Sequence, residues 1–149
     1  MKRTSEVILR NRERLGSGPA LLINPERDSL ALELGNRGGE IRASTQNFGT
    51  FRWLESGAMP CSFEVIPSIR GDEETLVLFL PREKARLSMM LAACASSIGA
   101  NARLWLIGEN RAGIKSSPRQ LRKYFGGVEK LDSARHCSLF EARQPRHAG

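Results

Sequence analysis

The residues best suited to binding chemistry lie in one short segment, GENRAGIKSS at 108–117, which directly follows the apolar run RLWLI. It combines two glycines with Arg111, Lys115 and two serines. Glycine-rich turns and cations at a helix start are typical of phosphate-binding loops, because free backbone N–H groups and positive charge both favour an anion. The spacing matches neither GxGxxG nor GxxxxGK[ST], since Ile114 separates Gly113 from Lys115. The segment therefore does not predict one of the usual nucleotide loops.

A second candidate segment is NPER at 24–27, which resembles the [ND]PP[YF] motif of amino-group methyltransferases. In that motif an amide or carboxylate side chain and a backbone carbonyl accept hydrogen bonds from the target amine. Here Glu26 stands in place of the second proline and Arg27 in place of the aromatic residue, and the segment follows the first predicted strand rather than the fourth. We interpret it as a strand-to-helix turn, in which Pro25 ends the strand and Asp28 caps the next helix.

Neither a nucleophilic triad nor a metal site is predicted. The sequence lacks a GxSxG elbow, and His136 is the only histidine before the tail residue His147. Cys61, Cys94 and Cys137 are widely spaced and form no CxxC pair, so the four ligands of a zinc site are lacking. We expect these cysteines to be reduced core residues of a cytoplasmic protein.

Length and charge limit the class of protein. A chain of 149 residues with 40% hydrophobic residues is long enough for one domain. Its longest apolar run, MMLAACA at 89–95, is far shorter than the roughly 20 residues of a membrane span, and no membrane partner is expected. The net charge of +7 is uneven, with +3 in residues 1–20, −2 in 21–109 and +6 in 110–149. Basic ends favour a polyanionic partner such as nucleic acid, although a solubilising surface has the same signature.

Short apolar runs alternate with segments of helical period along the chain. The predicted strands lie at 20–24, 40–45, 61–67, 75–80 and 102–108, and the predicted helices at 29–35, 82–97 and 117–126. This alternation predicts an α/β domain with a mostly parallel sheet. Ligands of such sheets bind beyond the carboxyl ends of the strands, and GENRAGIKSS lies at such an end.

The last third of the chain carries the clearest local signals. Ser117 is predicted to be the N-cap of a helix, with Pro118 at its first position, Gln120 completing a capping box and Gly126 ending it. The following segment, 128–142, predicts an antiparallel hairpin at the sheet edge, with its turn at 133–135. Residues 143–149 are predicted to be a disordered tail.

The loops after the first two strands lack the features of a cofactor site. A dinucleotide or S-adenosylmethionine site needs a glycine-rich turn after the first strand and usually an acid after the second, to accept hydrogen bonds from the ribose hydroxyls. The first loop reads NPERDS and the second TQNFG. The residues therefore predict no cofactor site in this chain.

Five segments of the chain together resemble one family: LLINPERDSLALEL, TQNFGTFRW, LVLFLPREKARLSMMLAACAS, RLWLIGENRAGIKSS and VEKLDSARHCSLFEA. That family is the RsmC-like 16S rRNA guanine-N2 methyltransferases, and the resemblance covers residues 5 to about 142. The most specific parts are GENRAGIKS with its preceding strand, and LDSARHCSLFEA.

The resemblance implies a particular place in a larger protein. Family members carry two tandem domains of similar fold, of which the C-terminal one binds S-adenosylmethionine and holds the NPP-type catalytic motif. The N-terminal one is a degenerate copy without cofactor that helps to recognise ribosomal RNA and supports the catalytic domain. Residues 1–142 are then expected to form a Rossmann-like methyltransferase fold without a cofactor loop and without catalytic residues. The catalytic domain is absent from this chain, and its expected partners are that domain and ribosomal RNA or the small ribosomal subunit.

Five cations in and after GENRAGIKSS are the candidate RNA contacts: Arg111, Lys115, Arg119, Arg122 and Lys123. The helix start at 116–117 also favours a phosphate. A solvated helix face is the competing interpretation, and Arg111 has an alternative local partner in Glu109. Phe48, Phe51 and Trp53 have the chemistry to stack on bases, but a core or interdomain role is the stronger expectation for them. Two other functions stay open, a purely structural interdomain module that binds no RNA and a small cofactor-binding methyltransferase.

Overall fold

Seven strands form one mixed sheet within residues 1–36 and 38–146, the part of the chain that the computed structural model describes. Their order is β3-β2-β1-β4-β5-β7-β6, in which the first five are parallel and β7 is antiparallel to both β5 and β6. The strands are β1 Ala20–Ile23, β2 Ile41–Thr45, β3 Cys61–Phe63, β4 Thr75–Phe79, β5 Arg103–Glu109, β6 Phe125–Ala134 and β7 Cys137–Pro145. The predicted α/β fold with a mostly parallel sheet and an antiparallel C-terminal hairpin is confirmed.

Helices cover both faces of this sheet. They are α1 Arg3–Arg10, α2 Arg12–Leu15, α3 Leu30–Gly35, α4 Phe48–Ser56, α5 Lys84–Ser97 and α6 Ser117–Tyr124, and two 3₁₀ turns, Asn110–Ala112 and Ile114–Ser116, lead from β5 to α6. The sequence did not predict α1, α2 or α4. The side chain of Asn47 caps α4 by accepting from the Thr50 backbone N–H at 2.9 Å.

Two apolar layers hold the helices to the sheet. On one face, Leu87, Met90, Leu91 and Cys94 of α5 form a buried apolar stripe with Ile98, which follows the helix, and Leu121 of α6 belongs to the same layer. On the other face, Val7 and Ile8 of α1 and Leu30 and Leu34 of α3 belong to one buried cluster with Trp105. Each fully buried aliphatic side chain contributes roughly 1.5–3 kcal/mol. β1, β4 and the centre of β5 are buried on both faces, as central parallel strands are.

The predicted capping box at 117–126 is wrong. Ser117 lies inside α6, where its hydroxyl donates to the Ile114 carbonyl, and Ser116 occupies the N-cap position without a side-chain cap. The 3₁₀ turn explains this, because its carbonyls accept from the serine hydroxyls that would otherwise cap the helix. Gly126 does not end the helix either, since β6 begins at the fully buried Phe125.

The third predicted strand is shorter than expected. β3 stops at Phe63 rather than continuing to residue 67. The carboxylate of Glu64 accepts hydrogen bonds from the Ser62 hydroxyl at 2.7 Å and the Ser68 backbone N–H at 2.9 Å. These bonds fold the chain back on itself, which ends the pairing with β2.

The C-terminal hairpin is confirmed, with a tighter turn than expected and a longer second strand. Arg135 and His136 form a two-residue connection with φ of 54° and 60°, the left-handed pair that a type I′ turn requires. The predicted tail from residue 143 is wrong in its first part, because β7 continues to Pro145 and pairs Arg143 with Gly127 of the edge strand β6. The rest of that prediction, at 147–149, lies outside the described residues.

The cysteines and histidine behave as ordinary structural residues. Cys94 and Cys137 are buried, Cys61 is half-buried, and burial raises the pKa of the Cys94 thiol to about 12. His136 is exposed in the hairpin turn. Within the described part of the chain, no group of His, Cys, Asp or Glu side chains is arranged to hold a metal ion. Nor is any helix there long and apolar enough to cross a membrane.

Candidate nucleic-acid interface at the carboxyl edge of the sheet

The loops that follow β1, β2, β4 and β5 meet at the carboxyl edge of the sheet. They border two adjoining clefts of about 570 Å³ and 440 Å³, which share Glu26, Phe79, Leu80 and Arg82. The clefts lie where the strand order reverses, between β1 and β4, which is the place where open α/β sheets bind ligands. This edge is therefore the first place to look for a functional site.

The NPER segment after β1 is bound to its neighbours rather than open to a ligand. The side-chain oxygen of Asn24 accepts from the Gln46 backbone N–H at 3.2 Å, and Thr4 of α1 donates to the Glu26 carboxylate at 3.3 Å. Asp28 accepts from the Leu30 backbone N–H at 3.0 Å, and so does stabilise the start of α3. The loop is a strand-to-helix turn, as interpreted.

The loop after β2 presents an amide and an arginine. With its amide oxygen facing the guanidinium, Gln46 accepts from Arg86 Nε at 3.0 Å. Arg86 also lies 3.6 Å from the Glu83 carboxylate. An acid that would accept hydrogen bonds from ribose hydroxyls does not stand at the end of β2; a neutral amide, already paired with a cation, stands there instead.

The glycines of GENRAGIKSS serve packing and turning. A Cβ on Gly108 would lie 2.8 Å from both Cβ and Cδ2 of Leu80, so only glycine allows this approach. Gly113 has φ of 93° and joins the two 3₁₀ turns. Ile114 is fully buried, and Asn110 accepts from the Ser138 hydroxyl at 2.7 Å. The segment is thus fixed to the core and to β7.

The five candidate cations fall into two groups. Arg111 lines the larger cleft and is paired with Glu109 at 3.3 Å, the local partner considered from the sequence. Lys115, Arg119, Arg122 and Lys123 lie on the exposed side of α6 and its preceding turn, opposite the buried residues Ile114, Ser117 and Leu121. These four make no ion pair or side-chain hydrogen bond with any residue that the structure describes. They form a basic face, called the α6 face below.

An aromatic cluster lies at the other end of the same sheet edge. The ring centroids of Phe48 and Phe63 are 5.4 Å apart in an edge-to-face arrangement, and Phe51 lies 5.8 Å from Phe63. The Arg52 guanidinium lies 5.8 Å from the Phe48 centroid. Sequence reasoning missed Phe63, because only the pairing of β3 with β2 brings it beside α4. Trp53 is separate from the cluster and lines an apolar cleft of about 220 Å³ with Leu32 and Met59.

Comparison with known proteins identifies the family. The family "Methyltransferase small domain N-terminal" matches residues 5–148. The ribosomal RNA small subunit methyltransferase C of Acinetobacter baylyi is 34% identical over 138 residues, which are 92% of this chain and 39% of that protein. Its namesake from Shewanella loihica is 34% identical over 142 residues, 93% of this chain and 41% of that protein. The chain thus spans about two fifths of the length of the curated relatives that it matches.

Solved structures support the same fold. The 16S rRNA N2 G1207 methyltransferase of T. thermophilus, solved with AdoMet and guanosine, superposes with a TM-score of 0.82 at 20% identity, over 99% of this chain and 40% of that one. The E. cuniculi Mtq2–Trm112 complex superposes with a TM-score of 0.73 at 14% identity, over 97% of this chain and 96% of the matched chain. The expected Rossmann-like methyltransferase fold is therefore confirmed. The chain belongs to the methyltransferase small domain N-terminal family and corresponds to the N-terminal part of its ribosomal RNA small subunit methyltransferase C relatives.

Proposed function

We propose that this chain is the non-catalytic N-terminal domain of an S-adenosylmethionine-dependent small-subunit rRNA guanine-N2 methyltransferase. In this role it works in the cytoplasm, binds ribosomal RNA and supports a catalytic domain that follows it. Its membership of the family and its coverage of about two fifths of its relatives support this place in a larger enzyme.

The observation that carries RNA binding is the α6 face. Lys115, Arg119, Arg122 and Lys123 are exposed and unpaired within the described residues, whereas many other arginines of this chain, such as Arg42 and Arg103, are held by carboxylates. Within α6, residues three and four positions apart share one side of the helix, so the cations are presented together. Such a face gains affinity for a phosphate backbone by releasing condensed counterions.

We further propose that the chain itself does not bind S-adenosylmethionine. The residues at the carboxyl edge do not fit that ligand: the β1 loop lacks a glycine and its Glu26 is bonded to Thr4, while Gln46 rather than an acid follows β2. In isothermal calorimetry with S-adenosylmethionine, we expect no heat of binding. Micromolar affinity would contradict this and favour the small cofactor-binding enzyme.

Charge reversal on the α6 face tests the RNA-binding role. We expect the double variant R119E/R122E to bind a 16S rRNA transcript at least ten-fold more weakly in a filter-binding assay, because two attractions to phosphate become repulsions. The slope of log K against log salt should also become shallower, by about one for each phosphate that the variant no longer neutralises.

A matched control separates a local effect from a general change in charge. R12E/R70E alters the net charge by the same amount, but the exposed residues Arg12, in α2, and Arg70, before β4, lie outside the α6 face. This control should bind like the unaltered chain, apart from a small uniform electrostatic loss. Equal affinity of R119E/R122E and the control, or an affinity that does not fall with salt, would favour the purely structural module.

A further inference from the structure

The aromatic cluster of Phe48, Phe51 and Phe63 is unusually open for a folded domain. Phe48 is 54% exposed and Phe63 is 50% exposed, although each ring is in contact range of the others. Contiguous exposed aromatic surface is uncommon on a soluble domain and marks an interaction site. The rings meet edge-to-face or tilted, so they do not cover one another's faces. A flat, apolar partner therefore has ring faces available to it.

One guanidinium group lies over a ring of the cluster, and a second lies against the start of α4. Arg52 lies over Phe48, and Arg27 donates from Nη2 to the Asn47 side chain at 3.3 Å. A Cβ on Gly49 would lie 2.4 Å from that Arg27 nitrogen, so the glycine makes room for the guanidinium against the first turn of α4. Neither Arg27 nor Arg52 forms an ion pair with a carboxylate in the described parts of the chain. Exposed aromatic rings thus lie near two arginines, Arg27 and Arg52, that have no carboxylate partner among the described residues.

The acidic residue beside the cluster, Glu64, has its carboxylate bonded within the protein. Glu64 follows Phe63 and accepts hydrogen bonds from the hydroxyls of Ser62, Ser68 and Ser44 at 2.7, 2.8 and 3.0 Å. Partial burial by itself would raise the pKa of Glu64, but these hydrogen bonds outweigh burial and hold the pKa below its usual value. Glu64 therefore stays ionised at neutral pH, but its carboxylate oxygens accept from serine hydroxyls and pair with neither arginine.

The cluster is continuous with the two clefts, whose linings hold the carboxylates of Glu26, Glu83 and Glu109 as well as several cations. Asn47 and Thr50 of the α4 start also line the 440 Å³ cleft, together with Arg82 and Arg86. That cleft adjoins the 570 Å³ cleft, which is lined by Arg3, Arg82 and Arg111. From β3 to β5 the edge spans four strand spacings, about 19 Å. An extended strand of a few nucleotides fits this length, with a base at the aromatic end and phosphates along the arginines.

We propose that Phe48 and Phe63 stack on an unpaired base of a single-stranded RNA segment, whose backbone follows the carboxyl edge toward Arg111. This proposal rests on the RNA-binding function above and names the form of RNA that is recognised. Bases within a duplex are already stacked on each other, whereas unpaired bases stack readily on aromatic side chains and guanidinium planes. The arginines beside the rings favour this occupant over a protein.

A protein partner is the competing occupant, and it would use a different part of the surface. Val65 and Ile66 are 60% and 57% exposed and follow Phe63 closely in the chain. A docking protein would bury these aliphatic side chains, whereas base stacking does not need them. Replacing Phe48 and replacing the Val65–Ile66 pair therefore separate the two occupants.

The test measures fluorescence anisotropy of a labelled ten-nucleotide oligoadenylate and of the same strand annealed to its complement. F48A and F48L should bind the single strand roughly five- to a hundred-fold more weakly, the range expected when one base no longer stacks on the protein, with little change for the duplex. F48W should restore or increase affinity. V65S/I66S should bind the single strand like the unaltered chain.

Salt dependence supplies a second readout. Because stacking is not ionic, the fold loss of affinity caused by F48L should stay constant as salt rises, while the fold loss caused by R119E/R122E should become smaller. Unchanged single-strand affinity in F48A, with R119E/R122E still impaired, would overturn stacking but leave RNA binding in place. Loss of affinity in V65S/I66S but not in F48L would assign the patch to aliphatic contacts and overturn the proposal as well.

Discussion

Replacing Arg42 with methionine is expected to lower the free energy of unfolding by about 3–5 kcal/mol at pH 7. Arg42 projects from β2 and bonds to the Glu73 carboxylate, and it also donates to the Ser68 carbonyl at 2.8 Å. Only 11% of the Arg42 side chain and 2% of the Glu73 side chain are exposed. The variant leaves the Glu73 charge buried without its cation, and this uncompensated charge is the source of the cost.

The same pair predicts a dependence on pH. Burial by itself would raise the pKa of Glu73, but hydrogen bonds from the Arg70 and Gly71 backbone N–H groups and from Arg42 outweigh burial and lower the pKa. A carboxyl group with a lowered folded-state pKa stabilises the fold fully above its unfolded pKa of about 4.3, and this contribution is lost as pH falls through the folded pKa. The stability difference between R42M and the unaltered chain should therefore narrow on acidification.

Urea unfolding at pH 7 and at several values below pH 5 measures both effects. R70M is the matched control, because Arg70 pairs with Glu40 at 3.0 Å on the surface, where both side chains are more than half exposed. R70M should lower the free energy of unfolding by less than about 1 kcal/mol. The buried-pair explanation would be contradicted if R42M lowered the free energy of unfolding as little as R70M does. It would also be contradicted if the difference in free energy of unfolding between R42M and the unaltered chain did not change with pH.

The elements that could be predicted from the sequence are those whose apolar side chains are fully buried. β1, β4 and β5 are apolar runs buried on both faces, and the stripe of α5 has a clear helical period, so local sequence was sufficient for them. α4 escaped prediction because Gly49 and bulky aromatic residues weaken its helical signal, and its amphipathic pattern is poor. Its helical state is stabilised by the Asn47 cap and by packing against β3 that no local pattern encodes.

Part of the candidate site could likewise be predicted from the sequence, and part could not. The excess of positive charge after residue 110 pointed to the α6 face, and the structure places four of the five predicted cations together there, with Arg111 apart and paired. That these cations contact RNA stays a prediction. The aromatic cluster could not be assembled from the sequence, because Phe63 meets Phe48 only through the register of β2 with β3.

Replacing Glu141 with leucine is expected to destabilise the fold by about 3–5 kcal/mol, the second large effect. Glu141 lies opposite Trp105 in the β5–β7 pairing and is 5% exposed. Its carboxylate accepts from Trp105 Nε1 at 2.9 Å and from Arg143 Nε at 2.8 Å, and it lies 3.7 Å from Arg103. The leucine leaves the indole N–H unsatisfied and removes the carboxylate partner of Arg103, whose guanidinium lies 5.2 Å from the Trp105 ring centroid.

A double-mutant cycle separates the ionic contribution to the destabilisation by E141L from the contribution of packing. E141Q keeps an acceptor for Trp105 and should cost less than E141L, because it loses the charge and keeps the hydrogen bond. R103M/E141L should be less destabilised than the sum of its single variants, since the double variant buries no unpaired charge. Unfolding followed by tryptophan fluorescence measures the unaltered chain, E141Q and the three variants of the cycle. Strictly additive losses would show that Arg103 and Glu141 act independently, and that β7 is held to β5 by its backbone ladder and apolar packing alone.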